Sequence, residues 1–287
     1  MFRFAGAARR RVVAGAAALA LAACATTHRA PIVVPLASGA RYVAMGSSFA
    51  AGPGVTALAD EPRNRCGRSS DNYAHQLART RHLALVDVSC SGATTAHLLG
   101  PWAELPPQLD AVTSETRLVT MTIGGNDVGY IGGLIAASCE AAGAASGPCP
   151  HSTPPTEQAW RDLERSLRRI VGEVRRRAPM ARVVFVDYPA VVPDSGTCAA
   201  TPLTPEQVAA SRAIARRLTA VTARVARATG ADMLNVAALS TGHDACSRDP
   251  WTNGFPRQGD PRGMVPYHPN LNGMTAVAHA LDGLLSA

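Results

Sequence analysis

The stretch Tyr42-Val43-Ala44-Met45-Gly46-Ser47-Ser48-Phe49-Ala50-Ala51-Gly52 is a short apolar run ending in glycine and two serines. It reads as a strand that delivers a hydroxyl into a tight turn opening a helix. Such a turn exposes the serine oxygen and brings backbone N–H groups to the same point. Nucleophilic attack on an acyl group needs that hydroxyl, a base to take its proton and donors for the oxyanion. Ser48 is the candidate nucleophile. The Gly92 N–H, in Ser89-Cys90-Ser91-Gly92-Ala93, and the Asn126 amide, in Gly124-Gly125-Asn126-Asp127, are candidate donors. The base must be one of eight histidines. His268, in Pro266-Tyr267-His268-Pro269-Asn270, lies in a loop that can return to the strand ends. His243, in Gly242-His243-Asp244-Ala245-Cys246, competes and otherwise reads as structural.

The elements that must position these residues follow from periodicity. Apolar runs at 41–45, 83–88, 117–123, 182–187 and 232–236 predict five strands. Helical spacing predicts helices at 71–81, with Asp71 as N-cap, around Trp160–Val174, at 205–229 and at 272–285. Thr204 and Pro205 open the third of these and Gly230 ends it. The Gly- and Pro-rich segment 129–155 reads as an insertion loop stapled by a disulfide. Strands alternating with helices imply one doubly wound α/β domain with a parallel sheet. Ligand sites in such sheets lie beyond the carboxyl ends of the strands. Ser48, Gly92 and Asn126 follow the ends of strands one, two and three, so they should share one crevice.

The first residues are set apart from this domain. Met1 to Arg11 carries four arginines and no acid, Val12 to Ala20 is apolar, and Leu21-Ala22-Ala23-Cys24 follows. This is a secretory signal over 1–23, too short to span stably, and the cysteine after Leu-Ala-Ala resembles a bacterial lipobox that would be lipidated. Residues 24–40 read as lipidated Cys24 and tether, and 41–287 as the domain. Of seven cysteines, six then remain: Cys66, Cys90, Cys139, Cys149, Cys198 and Cys246. In an exported chain they predict three disulfides. Locality suggests Cys66–Cys90, Cys139–Cys149 and Cys198–Cys246. No C-x₂-C spacing favours zinc. Without the signal, 24 basic residues face 21 acidic ones, which is not a nucleic-acid footprint. Every basic residue is arginine and none is lysine, which reads as genomic coding bias.

On these residues the chain resembles the SGNH (GDSL) hydrolase family, and within it the secreted actinobacterial-type esterases and lipases with three disulfides. The family's four blocks match Gly46-Ser47-Ser48-Phe49, Ser91-Gly92, Gly124-Gly125-Asn126-Asp127 and His268-Pro269-Asn270. The resemblance implies a flavodoxin-like strand order 2-1-3-4-5. It implies Ser48 as nucleophile, the Ser48 N–H, Gly92 N–H and Asn126 amide as oxyanion hole, and His268 as base, with no metal or cofactor. Two positions depart from the pattern. Ser47 and Phe49 replace the usual aspartate and leucine of the first block. Val265 stands where the family places the acid of the triad, three residues before the histidine. His268 Nδ1–H is therefore expected to donate to a backbone carbonyl, most simply that of Val265, with Asp249 or Asp260 as alternatives. Asp127 reads as a helix N-cap or a substrate contact, and Trp251 as loop packing or a pocket wall. The activity implied is hydrolysis of carboxylic esters by a monomeric, exported protein, either secreted or anchored to a membrane by lipid, with an ester or lipid as substrate. The alternatives are deacylation of a glycan or phospholipid at the same site, or a non-catalytic surface-binding lipoprotein.

Overall fold

A computed structural model describes residues 1–2, 36–141, 149–256 and 264–286. Five strands form one parallel sheet: β1 (Arg41–Gly46), β2 (Ala84–Asp87), β3 (Thr116–Thr122), β4 (Arg182–Val186) and β5 (Asp232–Leu234). Their order is β2-β1-β3-β4-β5, as the resemblance implied. Met45 pairs with Met121, Met121 with Phe185, and Val186 with Leu234. The helices are α1 (Ser48–Ala51), α2 (Tyr73–Arg81), α3 (Thr95–Leu99), α4 (Tyr130–Ala141), α5 (Glu157–Arg177), α6 (Pro205–Thr229), α7 (Val236–Leu239) and α8 (Leu271–Ser286), with a 3₁₀ turn at Gln108–Ala111.

Side chains alternate across each strand, so successive residues enter opposite cores. Val43, Met45, Val119, Met121, Val183 and Phe185 meet the stripe Leu163, Leu167, Ile170, Val171 and Val174 of α5 and Leu218, Val221 and Val225 of α6. Tyr42, Ala44, Leu118, Val184 and Val186 meet Tyr73 and Leu77 of α2 and Met274, Val277 and Leu281 of α8. Burial on both faces explains why the strands read as continuous apolar runs.

Helix α6 has the predicted bounds, with Thr204 and Gln207 forming a capping box and Gly230 left-handed at the end. Two expectations are corrected. Asn72, not Asp71, caps α2: its side chain accepts from the His75 N–H, while the Asp71 carboxylate binds Thr56 Oγ1 at 2.7 Å and Arg79 at 2.6 Å. The segment read as an insertion loop contains α4. Its glycines weaken helix propensity, but Tyr130, Ile131 and Leu134 are buried in the core, and that packing decides. The disulfides pair Cys66–Cys90, Cys139–Cys149 and Cys198–Cys246. Three disulfides fit an oxidising, extracytoplasmic setting.

Strand β1 meets β3 closely at Gly46, where φ is +131° and a Cβ would stand 2.3 Å from the Thr122 carbonyl oxygen. Gly46→Ala is expected to destabilise the fold by about 3 kcal/mol or more through backbone strain and overpacking. Urea unfolding of the variant checks this.

Candidate active site

Ser48 is the first residue of α1, directly beyond β1. The turn that presents it is held from two sides, by Thr122 of β3 and by Gln108. Gly46 admits Thr122, and the Ser47 N–H donates to Thr122 O at 2.9 Å. The buried Gln108 side chain grips the Gly46 peptide from the 3₁₀ turn: its Oε1 accepts from Gly46 N at 2.7 Å and its Nε2 donates to Gly46 O at 3.0 Å. Ser48 is thereby fixed with its own N–H at a helix start, where backbone donors lack intrahelical partners.

Gly92 follows β2 with φ at +85° and lies under the Trp102 ring, 3.2 Å from where a Cβ would sit. The Cys66–Cys90 disulfide anchors the loop before it, and Ser91 donates through both its N–H and Oγ to Cys66 O, at 3.1 and 2.7 Å. Among the described residues the Gly92 N–H has no intramolecular acceptor. Asn126, beyond β3, spends one amide hydrogen on Ala93 O at 2.9 Å and keeps the other. That bond ties the two donor loops together. Asp127 ties them again: its carboxylate accepts from the Thr95 N–H at 3.1 Å and from Thr95 Oγ1. It caps α3 rather than a helix of its own. Burial raises its pKa, with the Thr95 bonds opposing.

The loop before α8 brings His268 across the sheet. Its Nε2 lies 2.7 Å from Ser48 Oγ. Its Nδ1 lies 2.7 Å from Pro266 O. A carbonyl only accepts, so Nδ1 carries the proton and Nε2 presents its lone pair to the Ser48 hydroxyl. The imidazole is buried, and desolvation lowers its pKa to about 4, against a small opposing effect of the Pro266 carbonyl. The Phe49 ring packs on it with centroids 5.1 Å apart.

The orienting carbonyl is therefore that of Pro266, a correction to the expected Val265. Residues 265–268 form a reverse turn in which the His268 N–H points at Val265 O, at 3.4 Å. Proline at the second position and positive φ at the third, Tyr267 at +59°, are the pattern of a type II turn. The Val265 carbonyl is taken by this bond and by Asn253 Nδ2 at 3.2 Å, which leaves Pro266 O for the ring. Buried Tyr267 pays for its left-handed backbone with packing and a hydroxyl bond to Ser138 of α4.

The other sequence candidates do not join the site. His243 stacks on Trp251 at 4.4 Å and its Nδ1 bonds Asp249 O at 2.8 Å, so all three belong to one loop cluster. Asp260 and Cys24 lie outside the described residues. Gln108 and Tyr188 were missed by sequence reasoning. Tyr188, beyond β4, accepts from the Gly125 N–H at 2.9 Å and packs on Phe49 at 4.8 Å. Neither residue sits in a recognisable motif, and only tertiary contact reveals either.

Ser48, Gly92, Asn126 and His268 open on a cleft of about 780 Å³. Arg63, Asn64 and Arg65 form one wall, and Ile131, Gly132 and Ile135 of α4 another. The model of the GDSL-like Lipase/Acylhydrolase family matches residues 44–276, which carry all four of these residues. The chain belongs to this family. It is a carboxylic ester hydrolase. Among its relatives is Lipase 2 of Streptomyces coelicolor, 37% identical over 273 residues, 91% of this chain and 90% of that protein. Phospholipase A1 from Streptomyces albidoflavus NA297 has a crystal structure similar to this hydrolase at TM-score 0.69 and 28% identity, covering 86% of this chain and 99% of that one. The extracellular lipase of Streptomyces rimosus gives TM-score 0.66 at 28% identity, covering 85% and 98%.

If Asp127 holds the two donor loops together, Asp127→Ala lowers kcat by about 10-fold or more while KM moves little, since oxyanion donors act in the transition state. Steady-state kinetics on a p-nitrophenyl ester separates this from lost binding.

Proposed function

We propose that this hydrolase cleaves esters through an acyl-enzyme on Ser48, with His268 as the only acid–base group. The observation that carries the reading is the 2.7 Å contact between Ser48 Oγ and His268 Nε2, made with the Nδ1 proton already committed to Pro266 O. Ser48 Oγ attacks the acyl carbon as Nε2 takes its proton. The developing oxyanion meets the Ser48 N–H, the Gly92 N–H and the second amide hydrogen of Asn126. The intermediate collapses as the imidazolium protonates the leaving alcohol. Water then enters, gives its proton to Nε2 and releases the acid by the same steps in reverse order of roles.

A carbonyl fixes the imidazole tautomer but stabilises the imidazolium less than a carboxylate would. Asp249 belongs to the His243 cluster, and the single Nδ1 proton has its acceptor. The enzyme thus works as a dyad. It is exported through the signal at 1–23, held at a membrane by lipid on Cys24 with 24–40 as tether, and acts as a monomer. The lipobox-like Leu21-Ala22-Ala23-Cys24 and the three disulfides support this placement. Mass spectrometry of the mature N-terminus tests it: an unmodified Cys24 overturns the anchor.

Ser48→Ala is expected to reduce turnover of p-nitrophenyl butyrate by at least about 10³-fold. Asp249→Asn and Asp260→Asn are each expected to leave kcat within a factor of about three. Loss of a triad acid costs about 10⁴-fold, so a fall of that size at either position overturns the dyad.

The pH profile follows from the depressed His268 pKa. The base is neutral above about pH 4, so kcat/KM stays high through mildly acidic pH and falls as pH drops through about 4. An acid limb centred near the free-histidine value of about 6.5 contradicts this. Stability moves the same way. Between pH 6.5 and 4 the unfolded chain holds a proton on this residue that the folded chain lacks, so His268 lowers stability as pH falls through that window.

A further inference from the structure

Tyr188 has no step in the chemistry above, yet it sits where the elements that carry that chemistry meet. It follows β4, is buried, and is not among the described residues that line the cleft. Its backbone is anchored by Asp187, whose Oδ1 accepts from the Tyr188 N–H at 2.8 Å. The other oxygen, Oδ2, accepts from Thr219 Oγ1 of α6 at 2.9 Å. The Tyr188 ring packs on Phe49 at 4.8 Å and meets Tyr130 edge-on at 6.0 Å. A buried tyrosine held in this way presents its hydroxyl at one defined point.

At that point lies Gly125, the residue before Asn126. The Gly125 N–H donates to Tyr188 Oη at 2.9 Å, and Gly125 O accepts from the Tyr130 N–H at 2.9 Å. Both polar groups of Gly125 are thereby occupied. The three atoms nearest to a Cβ at Gly125 would all belong to Tyr188, with the hydroxyl oxygen at 2.8 Å. Gly125 has no positive φ, so the tyrosine and not the backbone excludes a side chain there. Tyr188 Oη also lies 3.5 Å from Ser47 Oγ, which lies 3.5 Å from Thr122 O. The Thr122 carbonyl only accepts, so Ser47 donates to it and receives the Tyr188 hydrogen. The serine that replaces the family's aspartate thus belongs to this node and keeps it neutral. Burial raises the pKa of the phenol, which keeps its proton.

We propose that Tyr188 is a positioning residue for the oxyanion hole. By holding Gly125, its hydroxyl sets the point from which the Asn126 amide reaches the reacting oxygen. It acts through Asn126 and touches no substrate. The proposal rests on the acyl-enzyme reading in which Asn126 is an oxyanion donor.

A double-mutant cycle on the full-length enzyme, with p-nitrophenyl butyrate, tests it. Tyr188→Phe keeps the ring and removes the acceptor. It is expected to lower kcat about 10-fold, a fraction of the roughly 10²–10³-fold lost with an oxyanion donor, while KM stays within about twofold. In the Asn126→Ala background the same substitution is expected to cost less than about twofold, because residues that act as a unit are not additive. The acid limb of the pH profile, set by His268, stays in place. An equal loss in both backgrounds, or an acid limb that moves, assigns the effect to Phe49 and His268 and overturns the proposal. A Tyr188→Phe enzyme with kcat within about twofold of wild type also overturns it, and spares the donor role of Asn126. If Asn126→Ala itself keeps kcat within about twofold, the donor role falls and the proposal falls with it. Should Tyr188→Phe not fold, Gly125→Ala presses on the hydroxyl with the tyrosine retained and is read by the same cycle, with the same outcomes.

Discussion

The proposed chemistry depends on one hydrogen bond between groups 220 residues apart, from Ser48 Oγ to His268 Nε2. A shift of about 1 Å at such a contact costs around 10²-fold in rate. Both ends are held mainly by backbone contacts, with the buried Gln108 side chain added on the serine side. On the serine side, β1 is pressed against β3 at a glycine that leaves no room for a Cβ. On the histidine side, the His268 carbonyl accepts from Asn253 N at 2.8 Å, and Thr252 bridges Pro269. Gly273 lets α8 come so close that a Cβ would stand 2.3 Å from Trp251 O. Two close approaches that leave no room for a Cβ, at Gly46 and Gly273, thus hold the turn before Ser48 and the start of α8 beyond His268.

The electrostatics around that bond are unusual in their direction. The base is desolvated, packed on Phe49, and oriented by a neutral dipole. It is a weaker base than a histidine paired with a carboxylate, and its protonated form is less favoured. The compensation lies on the other side of the reacting carbon. The donor loops after β2 and β3 are cross-linked by Asn126 to Ala93 and by Asp127 to Thr95, so the oxyanion donors need no rearrangement when charge develops. In the proposed mechanism this places more of the demand on the oxyanion donors than on the proton shuttle.

The sheet was legible because burial on both faces leaves an uninterrupted apolar run in each strand, and α6 because Thr204, Pro205 and Gly230 mark its ends chemically. Ser48, Gly92 and Asn126 were legible as candidates because each follows a strand end, where the fold collects ligands, and His268 because its loop runs into the last helix. What escaped depends on long-range contact. The glycines of α4 conceal a helix that is made by packing. Asn72 outcompetes Asp71 as a cap because Asp71 is claimed by Thr56 and Arg79. The choice of Pro266 over Val265 hangs on a positive φ at Tyr267, which no tyrosine announces and which the contact with Ser138 supports. Gln108 reaches back 62 residues to Gly46.

The absence of lysine, read first as a matter of genome composition, has a chemical side. An acyl group on a serine can be captured by any nearby neutral amine, and a lysine in a cleft loses its proton readily. Guanidinium groups stay protonated at any working pH and have no free lone pair to offer. With Arg63 and Arg65 as the cations among the described lining residues, the proposed acyl-enzyme has no lysine amine beside it. The sequence offers no lysine amine to take up the acyl group, and amine-directed reagents find no side-chain amine to modify.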